Sequence, residues 1–443
     1  MTKDLTSGNT FKLILTYAFP VWLGFLFQQF YTVVDTIIVG QFLGVDAVAA
    51  VGSTGSVCFL LVGFCMGLCG GFAVPVAQRF GAKEFGKMRK YIYNTIILCI
   101  FFSIVMTIFT VLSCKQILIW MLTPENIIDM AIKYVKILFW GIPFTILYNI
   151  SSGILRALGD SKTPLYFLIM AAVLNIFLDL LFITSFSMGV TGAALATIIS
   201  QGLSGLACVI YMVKHFPIIR IAKEEREFDL LYCKTLCLNG IPMGLQYSIT
   251  AIGSVILQSS VNLLGSAAVA AVTTGSKISM FFCTTFDSMG TTMANFAGQN
   301  VGCGKYDRVK KGFWDCTIIS AIYAVVAFVV IYFFGSPLSA FILGSSEAEV
   351  VSNSHLFMII NSLFYIPLAW INILRFGIQG MGHGPLAVFA GVFEMIARAL
   401  VAIVFVPIYG FPAVCFASPV AWVLADLFLF PAFYYCIKKF NRT

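Results

Sequence analysis

Apolar residues run through this chain in twelve blocks of about 20–30, each broken by a short polar stretch. They fall at 11–42, 47–77, 89–113, 127–155, 164–185 and 190–213. After a longer polar stretch come 234–263, 268–298, 311–335, 350–377, 385–406 and 412–436. At 1.5 Å rise per residue, about 20 apolar residues cross the ~30 Å hydrocarbon core of a bilayer, so each block can span one. The spans are predicted to be helical, because in lipid a backbone must satisfy its own hydrogen bonds. The predicted fold is an all-α integral membrane protein with twelve transmembrane helices. Pro20, Pro143, Pro242, Pro367 and Pro419 fall inside blocks, where each removes a backbone donor and favours a bend. The first block is too long for a cleavable signal peptide and reads as the first span.

The polar stretches fix the orientation. Arg79, Lys83, Lys87, Arg89 and Lys90 follow the second block, and Arg156 and Lys162 the fourth. Lys214, Arg220, Lys223 and Arg226 follow the sixth, Lys305, Arg308, Lys310 and Lys311 the eighth, and Lys438, Lys439 and Arg442 the twelfth. The loops after blocks 1, 5, 7, 9 and 11 contain no Lys or Arg, and the loop after block 3 holds only Lys115. By the positive-inside rule both termini are cytoplasmic. Composition agrees: the chain of 443 residues is 60% hydrophobic and 10% charged, against about 25% charged in soluble domains. The net charge of +8 sits in the short connecting segments, so topology explains it and a nucleic-acid partner is not expected. The 13 cysteines stand mostly in or beside apolar blocks and read as small helix residues, with no zinc-site spacing.

The second half repeats the first at an offset of 221 residues. Leu43 and Gly44 match Leu264 and Gly265, and the run Ala47 to Val51 (AVAAV) recurs unchanged as Ala268 to Val272. Gln78 and Gly81 match Gln299 and Gly302, Pro164 matches Pro385, and Gly189 matches Gly410. Each copy holds six spans, an even number, so the two share one orientation and are expected to be related by an axis along the membrane normal. The expected domains are an N-lobe at 1–213, a cytoplasmic inter-lobe linker at 214–233 and a C-lobe at 234–443.

A charge inside the bilayer costs roughly 2.5–3.5 kcal/mol on insertion scales, so intramembrane ionisable groups are functional candidates. They are Asp35, Asp179, Lys277, Asp287, Glu394, Arg398 and Asp426. Counting inward from the outer ends of blocks 1, 5 and 6 places Asp35, Asp179 and Thr197 at one depth, ~10 Å below the outer surface. Asn175 lies one turn from Asp179, and Gln28, Tyr31 and Asp35 share a face of block 1. Two carboxylates with an amide and a hydroxyl can hold a proton or a sodium ion, oxygen ligands suiting a hard cation. At the 221 offset Asp35 becomes Ile256 and Asp179 becomes Leu400, which favours a cation site in the first copy only. Gln28, Tyr31, Lys277, Asp287, Glu394 and Arg398 are the substrate-cavity candidates. Glu394 and Arg398, four residues apart, can also pair within their helix. Asp426 reads equally as a group near a cytoplasmic opening or as a helix-packing residue.

No phosphate-binding loop, nucleophile motif or metal-ligand cluster occurs, so neither an enzyme nor a nucleotide-driven pump is expected, and no cofactor beyond a coupling ion. The run Tyr31 to Gly44 (YTVVDTIIVGQFLG) resembles the first-helix signature of multidrug and toxin extrusion (MATE) transporters. Leu155 to Pro164 (LRALGDSKTP), Asn175 to Asp179 (NIFLD) and Gly189 to Thr197 (GVTGAALAT) are similar to further family stretches. The resemblance implies two pseudo-symmetric six-helix lobes in a bacterial cytoplasmic membrane. It implies export of cationic or amphiphilic small molecules against H⁺ or Na⁺, with Asp35, Asn175, Asp179 and Thr197 as the cation-coupling set and a monomer as the working form. Block 7 lacks the acidic residue of NorM-type members, which places the chain nearer the DinF-type branch and favours H⁺. The alternative reading is a flippase for a lipid-linked saccharide, which would call for more cationic cavity residues than Lys277 and Arg398.

Overall fold

A computed structural model describes residues 3–121, 123–343 and 348–440. The described residues form helices and their connections, with no strand among them. The first half holds α1 (Thr10–Leu43), α2 (Val45–Gly81), α3 (Phe85–Trp120), α4 (Glu125–Trp140), α5 (Ile142–Ala157), α6 (Lys162–Leu180) and α7 (Val190–His215). The second holds α8 (Leu230–Leu263), α9 (Ser266–Gly302), α10 (Tyr306–Leu343), α11 (Ala348–Leu363), α12 (Tyr365–Gly380), α13 (Gly384–Leu400), α14 (Val406–Tyr409) and α15 (Phe411–Phe440). Among the described residues ten helical segments are long and apolar enough to cross a membrane, and two bent pairs bring the total to twelve. Those pairs are α4–α5, bent by 46°, and α11–α12, bent by 53°. The bends fall just before Pro143 and Pro367, whose missing N–H groups interrupt the helical ladder.

The duplication seen in the sequence is repeated in the backbone. Gly44 (φ 84°) and Gly265 (φ 96°) make matching left-handed turns, as do Gly189 and Gly410 (both φ 62°). π-helical turns at Leu181–Ser185 and Val401–Phe405 follow α6 and α13 at corresponding positions. The outer surface is what lipid requires: Phe341, Leu112, Phe333 and Phe109 are strongly exposed, and no water-soluble fold leaves so many large apolar groups outside. Inside, Leu68, Phe72, Met88, Leu118, Ile146 and Leu155 pack into a sealed core in the first half.

By compactness the chain divides into unit 1 (Met1–Asp4 with Leu23–Gly244) and unit 2 (Leu5–Trp22 with Leu245–Thr443). The helix α1 changes unit two residues beyond Pro20, and α8 two residues beyond Pro242. Local packing explains both assignments. The start of α8 lies so close to α2 that a Cβ on Gly71 would come within 2.4 Å of the Gly240 Cα, and one on Gly67 within 2.3 Å of the Met243 carbonyl oxygen. This is the small-residue contact by which membrane helices approach without a hydrophobic driving force. The segment before α1 is bound instead to α9, α10 and the turn between them: the Leu5 N–H donates to Gln299 Oε1 (2.9 Å), Lys305 Nζ to the Thr6 carbonyl (2.8 Å), and Arg308 Nη1 to the Gly8 carbonyl (2.9 Å).

Between α7 and α8 the linker is held on the start of α3. Arg89 grips Glu225 with two hydrogen bonds of 2.6 Å, and Asn94 Nδ2 donates to the Glu227 carbonyl at 3.1 Å. The Arg89 guanidinium holds the Glu225 carboxyl below the usual glutamate range. A lowered carboxyl pKa contributes stability above the unfolded value of about 4.3 and loses it as pH falls through the folded value. The linker is therefore expected to stay protected from protease at pH 5–7. In Glu225→Ala, limited proteolysis should cut residues 216–229 faster across that whole range, and an unchanged cleavage rate would refute the contact.

Candidate functional site

Unit 1 gathers polar side chains from five helices around two carboxyl groups. Asp35 comes from α1 and Asp179 from the last turn of α6, and each is at least nine-tenths buried. Their carboxyl groups lie close enough to share a hydrogen bond. Two ionised carboxylates this close repel each other, and a shared proton relieves that repulsion. The remaining oxygens, Asp35 Oδ1 and Asp179 Oδ1, are buried without a partner among the described residues.

Asn175, one turn before Asp179, is buried and sits against α7. With its amide turned to suit both neighbours, Nδ2 donates to Asp179 Oδ2 at 3.3 Å and the oxygen accepts from the Thr197 N–H at 3.3 Å. Thr197 Oγ1 donates to the Ala193 carbonyl at 3.1 Å, which leaves its lone pairs free to face an ion. The three residues that share a depth are thus neighbours, joined by Asn175. The π-turn begins two residues past Asp179, and such turns often mark functional sites. Here the corresponding turn after Leu400 carries no carboxylate, so it belongs to the duplicated fold rather than to the ion chemistry.

Three residues absent from the sequence-derived set complete the surroundings. The Tyr31 hydroxyl is hydrogen-bonded to Gln201, which accepts from Thr145 Oγ1 at 2.8 Å. Tyr134, buried on α4, lies within the fields of Asp35 and Asp179. Gln201 was within reach of sequence reasoning, one turn beyond Thr197 on the same face. Tyr134 was not, since nothing in a sequence fixes which face of a bent span turns inward. Tyr31 is half-buried against this cluster, and Gln28, also half-buried, lies one turn before it.

The four remaining candidates lie in unit 2 and separate into two pairs. Lys277 and Asp287 are exposed on α9, ten residues apart and not in contact. Glu394 and Arg398 are buried on α13, 3% and 7% exposed, and are bonded to each other at 3.2 Å. Glu394 also receives Arg375 Nη2 at 2.5 Å. Arg375 lies inside the expected 350–377 span, so the count of intramembrane charges that found the others contained its signal too.

Comparison with known proteins places the chain among relatives. The MatE family profile matches the chain twice, at residues 20–181 and 242–404. The "Probable multidrug resistance protein YpnP" of Bacillus subtilis (strain 168) is 31% identical over 379 residues, 85% of this chain and 83% of that protein. The "Probable multidrug resistance protein YoeA" of the same strain is 29% identical over 377 residues, 83% of this chain and 80% of that one. Among solved structures, the outward-facing form of a multidrug resistance MATE family transporter of the MOP superfamily shares the fold, with a TM-score of 0.92 over 100% of this chain and 99% of that one, at 22% identity.

Proposed function

The chain belongs to the MatE family of membrane transporters, and we propose that it exports cationic or amphiphilic small molecules by alternating access, driven by inward flow of H⁺ rather than Na⁺ through the Asp35–Asp179 site. As a family member it is a multi-pass membrane transporter and not an enzyme, and its relatives' multidrug resistance names support multidrug efflux. The observation that carries the coupling reading is the close approach of two buried carboxyls, each with an oxygen that has no partner among the described residues. A proton shared between them satisfies both without further ligands. Sodium would use the same oxygens, with Asn175 and Thr197, as a ligand shell, but would push the carboxyls apart.

Coupling follows from the elements that carry the groups. Asp35 rides on α1 and Asp179 on α6, so protonation draws the two helices together, and loss of the proton leaves two like charges that drive them apart. α1 can respond because Pro20 interrupts its hydrogen-bond ladder. Export results when one ion state favours an outward-open form and the other an inward-open form. Substrate contact is assigned to Gln28 and Tyr31 in unit 1 and to Lys277 and Asp287 in unit 2, all of which keep accessible surface. Both termini face the cytoplasm, the working unit is one chain, and the membrane is a bacterial cytoplasmic membrane.

Ethidium transport in everted membrane vesicles tests the reading, with a pH gradient and a sodium gradient imposed separately. Uptake driven by the pH gradient alone is expected. Uptake driven by sodium alone would reassign the ion. No uptake under either, with the protein folded and abundant, would overturn the drug-export reading and favour the lipid-linked saccharide flippase. Nothing in the geometry favours that flippase now: of the two cations it would use, Arg398 is buried and already bonded to Glu394.

A further inference from the structure

Unit 2 holds a second buried charge cluster that the transport cycle above does not use. Arg375 on α12, Glu394 and Arg398 on α13, and Asp426 on α15 are all more than nine-tenths buried. Glu394 is clamped between the guanidiniums, with Arg375 Nη2 on Oε1 at 2.5 Å and Arg398 Nη2 on Oε2 at 3.2 Å. Asp426 is treated differently. It lies in the field of both Arg375 and Glu394, yet neither of its oxygens has a hydrogen-bond partner among the described residues. Arg375 Nε and Arg398 Nη1 are also buried without partners. One turn along α12 from Arg375, Gln379 Nε2 donates to Gln246 Oε1 of α8 at 2.6 Å, and Gln379 Oε1 is left unpaired. The cluster thus leaves buried donors and acceptors unpaired on neighbouring helices of one unit.

A bare carboxylate in this position would be an uncompensated buried charge, which proteins avoid by pairing or by neutralisation. Asp426 is not paired. We propose that Asp426 is a second proton-binding site, within unit 2, at which a bound proton keeps Arg375 on Glu394 and loss of that proton to water transfers Arg375 Nε to Asp426. The ligand class is the proton because it neutralises the group without needing space. A metal cation would be repelled by two guanidiniums, and a small anion would compete with Glu394, which already holds both. The charged groups whose fields reach Asp426 are Arg375 and Glu394, with Arg398 bonded to that Glu394 and Asp287 in the field of Arg375. The duplication shows that the fold does not require this cluster. At the 221 offset its members become Ile154, Val173, Phe177 and Gly205. Each half of the chain therefore carries its own buried acid site in positions where the other half is apolar or has glycine.

The two acceptors sit on different helices, Glu394 on α13 and Asp426 on α15, so moving one guanidinium between them changes which helix α12 is tied to. Infrared difference spectroscopy on the full-length protein in nanodiscs, acid minus alkaline, reads this site directly through the C=O stretch of a buried protonated carboxyl. Asp426→Asn is expected to lose one such band that Asp35→Asn and Asp179→Asn keep, and Asp426→Glu is expected to keep the band at a shifted frequency. A wild-type band pattern in Asp426→Asn, at a melting temperature near wild type, would overturn the proposal. If Asp426→Asn fails to fold, Asp426→Glu decides alone: an unshifted band refutes the assignment. The readout needs no transported substrate, so its outcome is independent of whether the chain exports drugs.

Discussion

Asp35→Asn is expected to lose gradient-driven ethidium export while still folding and still binding ethidium. Asparagine keeps the size of the side chain and can hydrogen-bond Asp179, so the packing of α1 on α6 survives, but the pair can no longer share and release a proton. An ion that drives a conformational equilibrium contributes a coupling free energy of about 1–3 kcal/mol, a factor of about 5–150. Removing the ion's site removes that factor, so concentrative uptake into everted vesicles should fall by about that much, to the level of passive equilibration. Exchange of labelled for unlabelled ethidium needs no gradient and should persist. Asp179→Asn should behave alike, because either carboxyl alone leaves one acid without its proton-sharing partner. A variant with wild-type accumulation would remove the pair from the coupling mechanism.

Glu394→Ala is expected to produce the largest loss of stability of any single change in unit 2. It strips the acceptor from two guanidiniums that are 6% and 7% exposed, leaving both buried and unpaired. Breaking a buried ion pair from one side costs about 3–5 kcal/mol, whereas replacing all members with apolar groups of similar volume can be neutral or stabilising. The triple change Glu394→Leu, Arg375→Met and Arg398→Met should therefore melt closer to wild type than Glu394→Ala does. Thermal melting of the detergent-solubilised protein by fluorescence-detected size exclusion makes the comparison. If the triple variant melts below Glu394→Ala, the cost arises from packing and not from the stranded charges.

These two sites show how far the sequence could be read. Hydropathy and the Lys/Arg asymmetry located the spans because lipid imposes its constraint locally, residue by residue. Depth is equally local, so counting from span ends set Asp35, Asp179 and Thr197 at one level, and the structure brings them together with Asn175. Rotation about the helix axis is a property of packing and is not written in one segment. That is why Tyr134 escaped notice and why the exposed pair, Lys277 and Asp287, looked the same in sequence as the buried pair, Glu394 and Arg398. The pairing of Glu394 with Arg398 was legible from their spacing of four, while Arg375, nineteen positions away on another helix, was not legible as its partner. Helix ends were underestimated: α2 runs on to Gly81 and α10 begins at Tyr306, beyond their apolar blocks, because polar residues at the membrane surface continue a helix without changing its backbone bonds. The passage of α1 and α8 from one unit to the other beyond Pro20 and Pro242 depends on contacts such as Gly71 on Gly240 and Leu5 on Gln299, which no local pattern announces.

The central claim, that the ion at Asp35 and Asp179 and the exported molecule are linked, is tested most directly at equilibrium. The measurement is the affinity of purified wild type and Asp35→Asn for ethidium as proton concentration is raised, with and without sodium. The account predicts that wild-type affinity weakens with rising proton concentration, by about 5–150-fold between the proton-free and proton-saturated limits. It predicts that sodium has little effect, and that Asp35→Asn largely loses the proton dependence. The same proton dependence in both proteins, or a wild-type affinity indifferent to protons and sodium alike, would contradict it.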